Sequence, residues 1–382
     1  MATLLVSIAA LGFLVLLVQR ISLAVALSRA PRRATHCPPI SILKPLCGVD
    51  EALEENLRAL AALEYREFEV LLGVKDRADE AYPLAFSFAV ADPRFRVVLQ
   101  RSSPGMNPKV NQLVTLASEA RHSLLLVSDS NARMPEGTLE EIAACFEDPR
   151  VACVTQPVSG LGHLSFGALL DNLHLVSSVG APQLGAKTLA DKDLVVGKSM
   201  ALRRAALESL GGFAAYCDVL AEDFVIGQDL RRAGLEIAVT RTPVWNVSVH
   251  RSVRSFFERY LRWGVIHRTA VTLPTSLAQG LLNPVPLLVI AVFFGLSPLA
   301  LVAGVLLKTA LDVSSARALR CEVPLLRAIP AVLVKDLLIF ITWFNALWSR
   351  TVVWRGNRLR VGARSRLERP AGELLPAHAE SS

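Results

Sequence analysis

Three kinds of hydrophobic pattern follow one another along the chain. Residues 3–27 (TLLVSIAALGFLVLLVQRISLAVAL) form one long apolar run broken only at Gln19-Arg20. About 20 apolar residues in a helix cross a bilayer, so the run predicts a spanning anchor. No basic residue precedes it, and it is longer than the apolar core of a cleavable leader, so an anchor fits better than a signal peptide. Arg29, Arg32 and Arg33 come next. By the positive-inside rule, the segment they begin faces the cytoplasm.

The second pattern, over residues 38–270, alternates short strand-like runs with helical ones. "PISILKPL" (39–46), "FEVLLGVKD" (68–76), "RVVLQ" (96–100) and "SLLLVSDS" (123–130) read as strands. Between them lie helical stretches at 50–63, after Asp79, and at 107–120, where Asn107 caps and Pro108 takes the favoured first position. Strands separated by helices predict a mostly parallel sheet covered on both faces, hence an α/β domain. Beyond residue 150 the order is less regular. "VACVTQPV" (151–158) and "DLVVGKSMALRR" (193–204) are expected as strands flanking a helical region near 164–180. "SVRSFFERYLRWGVIHR" (252–268) is expected as an amphipathic helix with a cationic face.

The third pattern is again apolar. Residues 284–307 are long enough to cross a membrane, although Pro286 and Pro298 should kink them, and residues 329–348 form a further candidate. Lys335-Asp336 sits inside the latter, where a charge costs about 2.5–3.5 kcal/mol unless a neighbour of opposite sign relieves it. Trp343, Trp348 and Trp354 suit an aromatic belt, and the arginine-rich end, from Arg350 to Arg366, reads as a basic cytoplasmic tail. Two crossings between the middle domain and that tail keep both on one side. The expected organisation is an anchor at 1–30, a cytoplasmic domain at 36–270, interfacial and transmembrane helices at 271–350, and a tail at 351–382.

Composition adjusts this picture in two places. The chain of 382 residues is 52% hydrophobic and 20% charged with a mean hydropathy of +0.41, too apolar for a wholly soluble protein. Its net charge is +7, with basic residues gathered beside the apolar runs. Anionic lipid headgroups explain that placement more economically than nucleic acid, which is not expected as a partner. The six cysteines lack metal-ligand spacing and read as free thiols.

The candidate chemistry lies at strand and helix ends. Asp76 and Asp129 each close a strand, and in a parallel sheet both reach the same edge, where open α/β sheets bind ligands. The plain alternative for Asp129-Ser130-Asn131 is a turn. Asp129 suits a divalent metal, Mg²⁺ or Mn²⁺, which pairs one or two carboxylates with substrate phosphates. Lys109, beside a helix N-terminus, fits a phosphate. Glu222-Asp223 in "LAEDF" either answer a helix dipole or face a substrate. Arg259, Arg262 and Trp263 in "RYLRW" share one helix face, suited to phosphate oxygens or to a membrane surface.

Taken in order, "SILKPLCGVDEALEENL", "NPKVNQL", "SDSNARM", "LAEDF" and "RYLRW" resemble the ceramide glucosyltransferase family, with its D, D, D, (Q/R)xxRW pattern, over roughly residues 36–270. The resemblance implies a GT-A (Rossmann-like) α/β domain with N-terminal and C-terminal transmembrane helices. It implies an inverting, metal-dependent transfer of glucose from UDP-glucose to a membrane lipid hydroxyl, most simply ceramide. Carried over by position, Asp223 is the general base, and Asp76, Asp129, Arg259 and Arg262 hold the UDP-sugar, joined by Lys109 from its own place at a helix N-terminus. Asp129 also serves the metal, while Glu222 and Trp263 meet the acceptor. The expected partners are a UDP-sugar donor, a lipid acceptor and the bilayer of a bacterial-type inner membrane. Two departures from the pattern, Asn131 and "VHRS" (249–252), keep diacylglycerol glycosylation and N-acetylglucosamine transfer to a hopanoid open. A processive polysaccharide synthase would need more membrane helices, and a non-enzymatic lipid-binding scaffold is the alternative of a different class.

Overall fold

Central strands that are mostly apolar along their length fold where both faces can be covered. The computed structural model, which describes residues 1–281, 283–354 and 357–368, builds its middle domain on such strands. After α1 (Ala2–Leu27) the order is β1 (Ile40–Pro45), α2 (Leu53–Ala61), β2 (Phe68–Val74), α3 (Tyr82–Ala91), β3 (Phe95–Leu99), α4 (Pro108–Glu119) and β4 (Leu124–Ser128). Then come β5 (Ala132–Arg133), α5 (Thr138–Cys145), β6 (Val151–Thr155), β7 (Val158–Leu161), α6 (Phe166–Leu175), a π-helical turn, α7 (Ala181–Ala190), β8 (Ser199–Arg203) and α8 (Arg204–Ser209). The domain ends with α9 (Glu222–Arg232), β9 (Glu236–Val239), β10 (Val244–Val247) and α10 (Val253–Ala270).

Seven strands form one sheet in the order β3-β2-β1-β4-β8-β6-β9. Only β8 runs against its neighbours, pairing antiparallel with β4 and β6. Successive residues of β1, β2 and β4 point to opposite faces. Ile42, Val70, Leu72 and Leu126 pack beneath α2 and α5, while Leu43, Leu71, Leu125 and Val127 meet α4 and α9. A second, three-stranded sheet has the order β5-β10-β7. The expected strand at 151–158 is therefore two strands in different sheets. Pro157, which has no N–H to give a ladder, lies between them. Likewise only Ser199–Arg203 of the expected 193–204 strand is extended in the sheet, and 193–198 form a loop.

The C-terminal part holds α11 (Leu273–Leu281), α12 (Pro284–Val292), α13 (Pro298–Ala318), α14 (Leu325–Trp348), β11 (Thr351–Trp354), β12 (Asn357–Val361) and β13 (Leu367–Glu368). Among the described residues, α1 and α13 are long and apolar enough to cross a membrane, and the bent pair α11–α12 makes a third if counted as one span. The expected crossing at 284–307 is broken. The chain turns after Val292 through Gly295, at φ +94°, and a new helix starts at Pro298. Residues 329–348 lie within α14, which packs along α10 and α13 and buries Lys335 and Asp336.

One further expectation changes. Trp343 turns inward: its indole N–H donates to the Ser276 carbonyl at 2.7 Å, and Gly280 leaves the room that the ring fills. Trp348 is 78% exposed, and the Trp354 side chain, Arg355 and the end of the tail from 369 lie outside the described residues. The described part of the basic segment from 351 is folded. Alternating apolar positions make β11-β12-β13 a small sheet against α10. Its Ser365 accepts from Leu220 N at 2.9 Å and Ala221 N at 3.1 Å, bracing the loop that enters α9.

Candidate active site

The sheet register builds the site. Ser199 of β8 pairs with Ser128 of β4, so Lys198 falls opposite Asp129. Its ammonium lies 3.0 Å from Asp129 Oδ2 and 2.5 Å from Asn131 Oδ1. From the other side comes Lys44 of β1, which is fully buried. Its Nζ donates to the carbonyls of Asp129 (2.7 Å) and Ala132 (3.3 Å) and to Ser128 Oγ (3.3 Å). Lys44 thus shapes the turn after β4, and that turn aims the Asp129 carboxylate outward.

Two helix N-termini meet this edge. At α4, Asn107 Oδ1 accepts from Lys109 N (3.0 Å) and Val110 N (3.2 Å), satisfying donors that an uncapped helix would leave open. The capped turn presents Lys109, whose Nζ bridges Asp129 Oδ1 at 2.9 Å and Glu222 Oε1 at 2.8 Å. Glu222 and Asp223 form the first turn of α9, where the helix dipole favours acidic groups. Asp223 Oδ1 accepts from Phe224 N at 2.8 Å and Oδ2 accepts from Gly197 N. Gly197 is required by crowding: a Cβ there would lie 2.7 Å from Lys109 Nζ and 3.0 Å from Asp223 Oδ2.

These charges perturb one another. Burial works against ionising Asp129, yet Lys109 and Lys198 hold its carboxyl below the usual carboxylate range. Burial raises Glu222, with Lys109 opposing and Asp223 adding to the rise. Lys109 is raised against the burial penalty by Asp129, Glu222 and Asp223. Burial lowers Lys198 and pushes Lys44 down to about 7.

The "RYLRW" face is divided. Arg259 is buried, 3.0 Å from Asp171 Oδ2, with its guanidinium 4.6 Å over the Trp263 ring. Tyr260 OH donates to the other Asp171 oxygen at 2.8 Å. Arg262 and Trp263 face the cavity, whereas Arg259 lies behind it as a brace for the indole.

That cavity has a volume of about 670 Å³. Its lining includes the charged Lys109, Asp129, Lys198, Glu222, Asp223 and Arg262, together with the apolar Leu16 of α1, Pro182, Ile339, Phe340 and Trp343 among others. Of the residues singled out in the sequence, Lys109, Asp129, Glu222, Asp223, Arg262 and Trp263 converge here. Glu222 faces Lys109 and Asn107, with Asn107 Nδ2 at 3.4 Å, so it positions the lysine. Asp76 lies at the same sheet edge beyond β2, exposed, its carboxylate accepting from Ala78 N at 2.8 Å. With β1 between β2 and β4, it stands about two strand spacings, roughly 10 Å, from the Asp129 strand and outside the cavity lining.

Lys198, Lys44 and Asp171 were not singled out in the sequence. The one available signal was a lysine inside the otherwise apolar "PISILKPL", a position seldom charged unless partnered. Lys198 and Asp171 gave none, since their partners are 69 and 88 residues away along the chain or are set by a strand register. Among the described residues no group of three or more His, Cys, Asp or Glu is arranged to hold a metal. The oxygens of Asp129 and Asn131 are hard donors of the kind Mg²⁺ and Mn²⁺ take, and in this structure they are held by the Lys109 and Lys198 ammoniums.

The sequence profile of glycosyl transferase family 21 matches residues 4–367. The chain is 28% identical over 266 residues to ceramide glucosyltransferase 3 of Caenorhabditis elegans, covering 67% of this chain and 58% of that protein. It is 30% identical over 232 residues to ceramide glucosyltransferase 1 of the same organism, covering 59% and 49%. The chain thus spans about half the length of the curated relatives it matches. Among solved structures it resembles the mannosyltransferase PcManGT of Pyrobaculum calidifontis, in complex with GDP-Man and Mn²⁺. The TM-score is 0.57 at 19% identity, over 91% of this chain and 99% of that one. That likeness shows the fold, and with it the expected GT-A architecture.

Proposed function

The chain belongs to glycosyl transferase family 21, and from that premise we propose that it transfers glucose from UDP-glucose, with inversion, to the hydroxyl of a membrane lipid, ceramide in our reading. The observation that carries the proposal is the mixed lining of the cavity, with charged groups around Asp223 and apolar side chains of α1 and α14. A lipid acceptor needs both kinds of lining, and a scaffold that merely holds headgroups needs no carboxylate fixed by two backbone amides. Arg29, Arg32 and Arg33 after α1 support a cytoplasmic catalytic domain, in an inner membrane of bacterial type.

In the proposed reaction the lipid hydroxyl approaches Asp223, which takes its proton as the oxygen attacks the anomeric carbon from the face opposite the diphosphate. The bond to the diphosphate oxygen breaks with its electron pair, and UDP departs. Lys109, Lys198 and Arg262 bring fixed positive charge to the oxygens where negative charge accumulates. Asp76, at the same sheet edge, is assigned to the nucleoside. A divalent cation held by Asp129 and Asn131 would supply additional positive charge for the diphosphate.

The test is detergent-solubilised protein with radiolabelled UDP-glucose, a short-chain ceramide or dioleoylglycerol, and mass spectrometry of the lipid product. Glucosylceramide is expected, with turnover falling about 10²–10⁴-fold in Asp223→Asn while UDP-glucose still binds. No labelled lipid with either acceptor would overturn the proposal, and undiminished turnover in the variant would remove Asp223 as base.

A further inference from the structure

The side-chain oxygens assigned to the divalent cation are already held by lysines of this chain. Lys109 Nζ lies 2.9 Å from Asp129 Oδ1. Lys198 Nζ lies 3.0 Å from Asp129 Oδ2 and 2.5 Å from Asn131 Oδ1, so it occupies the bite between those two oxygens. An ammonium and a divalent cation repel each other at such distances. Coordination by Asp129 and Asn131 together therefore requires Lys198 to let go.

The two lysines are not equivalent. Lys109 has a second carboxylate, Glu222 Oε1 at 2.8 Å, and keeps it if Asp129 turns away. Among the described residues, the partners of the Lys198 ammonium are Asp129 and Asn131. Its backbone is pinned beside the Ser128–Ser199 pair of the sheet, and its side chain is only 7% exposed. Once released, the ammonium cannot retreat into bulk water; it turns within the cavity that it lines with Lys109, Asp223 and Arg262. A buried ammonium without a counter-ion is costly, so release is favourable only where another anion receives it. The diphosphate of a nucleotide donor is such an anion, and it accepts strong charge-assisted hydrogen bonds.

We propose that Lys198 is an exchangeable occupant of the cation site. It holds Asp129 and Asn131 in the donor-free protein, and it passes to a diphosphate oxygen of the nucleotide as it yields those two oxygens to a divalent cation. The inference rests on the transferase reading above and adds an order of events to it. Without nucleotide, Lys198 competes with metal and keeps its binding weak. With nucleotide bound, the diphosphate lowers the cost of releasing Lys198, so metal and diphosphate favour each other's binding reciprocally. Only hydrogen bonds and ion pairs are exchanged, and no covalent bond changes.

The experiment uses the detergent-solubilised full chain with Mn²⁺ as the probe. Binding to nucleotide-free protein is read as loss of the free-ion electron paramagnetic resonance signal, in wild type, Lys198→Met and Lys198→Gln. Removing the competing ammonium should tighten Mn²⁺ about tenfold or more, and adding Asp129→Asn to Lys198→Met should abolish that gain. Calorimetry with UDP at saturating Mn²⁺ should move the other way, with Lys198→Met binding UDP about tenfold more weakly. Mn²⁺ binding no tighter in the variants than in wild type would overturn the inference, leaving Lys198 as a permanent partner of Asp129. Stoichiometric Mn²⁺ binding by nucleotide-free wild type at micromolar concentration would overturn it even if neither variant folded. None of these measurements contains lipid or follows turnover, so failure of the transferase reading appears separately, as missing labelled lipid.

Discussion

Replacing Gly197 with alanine adds one methyl group at the most crowded point of the site. The new Cβ would stand 2.7 Å from Lys109 Nζ and 3.0 Å from Asp223 Oδ2, where ordinary contacts begin near 3.5 Å. One or both groups must retreat by about 0.5–1 Å. Lys109 has little freedom, because Asp129 and Glu222 hold its ammonium from two sides. The Asp223 carboxylate is tied to the amides of Gly197 and Phe224 and must rotate against them. A displacement of this size at a reacting group costs about 10²-fold in rate, while overpacking one methyl costs stability about 1–3 kcal/mol. Gly197→Ala should thus remain folded, with a melting temperature lowered by a few degrees and kcat for glucosyl transfer down by about two orders of magnitude. Because the Lys109 contact is part of the cause, the same substitution in a Lys109→Ala background should cost measurably less than in wild type. The assay is the initial rate of labelled lipid formation at saturating UDP-glucose. A kcat within twofold of wild type would show that neither Lys109 nor Asp223 has to stay where it is.

Three further outcomes follow from the same geometry. Asp129→Ala should abolish the Mg²⁺- or Mn²⁺-dependent part of UDP binding in calorimetry, and an unchanged metal dependence would remove Asp129 from the metal assignment. Asp171→Ala leaves buried Arg259 without its carboxylate and should destabilise the fold by about 3–5 kcal/mol, read as a lowered melting temperature; a shift of under one degree would refute the brace behind Trp263. Lys44, near 7 in the folded chain and near 10.5 unfolded, binds fewer protons when folded, so stability should rise as pH climbs from about 7 toward 10.5. That rise should flatten in Lys44→Met, and identical pH profiles of melting temperature in the two proteins would contradict it.

The alternating middle of the chain was legible because its strands are apolar at consecutive positions and its helices carry local caps. "NPKVNQL" contains its own N-cap, first-turn proline and lysine, and α4 begins at Pro108 as that motif predicts. Asp129 and Asp223 were legible as candidate site residues because each sits where a strand or helix ends, and termini expose backbone groups that ligands use. Lys198 was not, because its meaning comes from the Ser128–Ser199 pairing, and β8 is the one reversed strand in the sheet. Arg259 looked equivalent to Arg262 on a helical wheel. Only the tertiary position of Asp171, fully buried on α6, separates the brace from the cavity-facing arginine. The arginine-rich end read as a basic tail, and its strands were not legible; their apolar positions Val352, Val361 and Leu367 are buried.

Lys335-Asp336 marks the deepest limit of reading along the chain. Neighbours in sequence, they suggested a pair that neutralises itself. The structure instead completes them with Lys308 and Asp312 on another helix, so neutrality is reached by four groups. Desolvating each ion costs several kcal/mol, and an apolar contact would hold α13 to α14 without that cost. A charge ring at this place is thus poorly explained by stability alone. The ring balances its own charge, so it can sit beside lipid with no charged ligand bound.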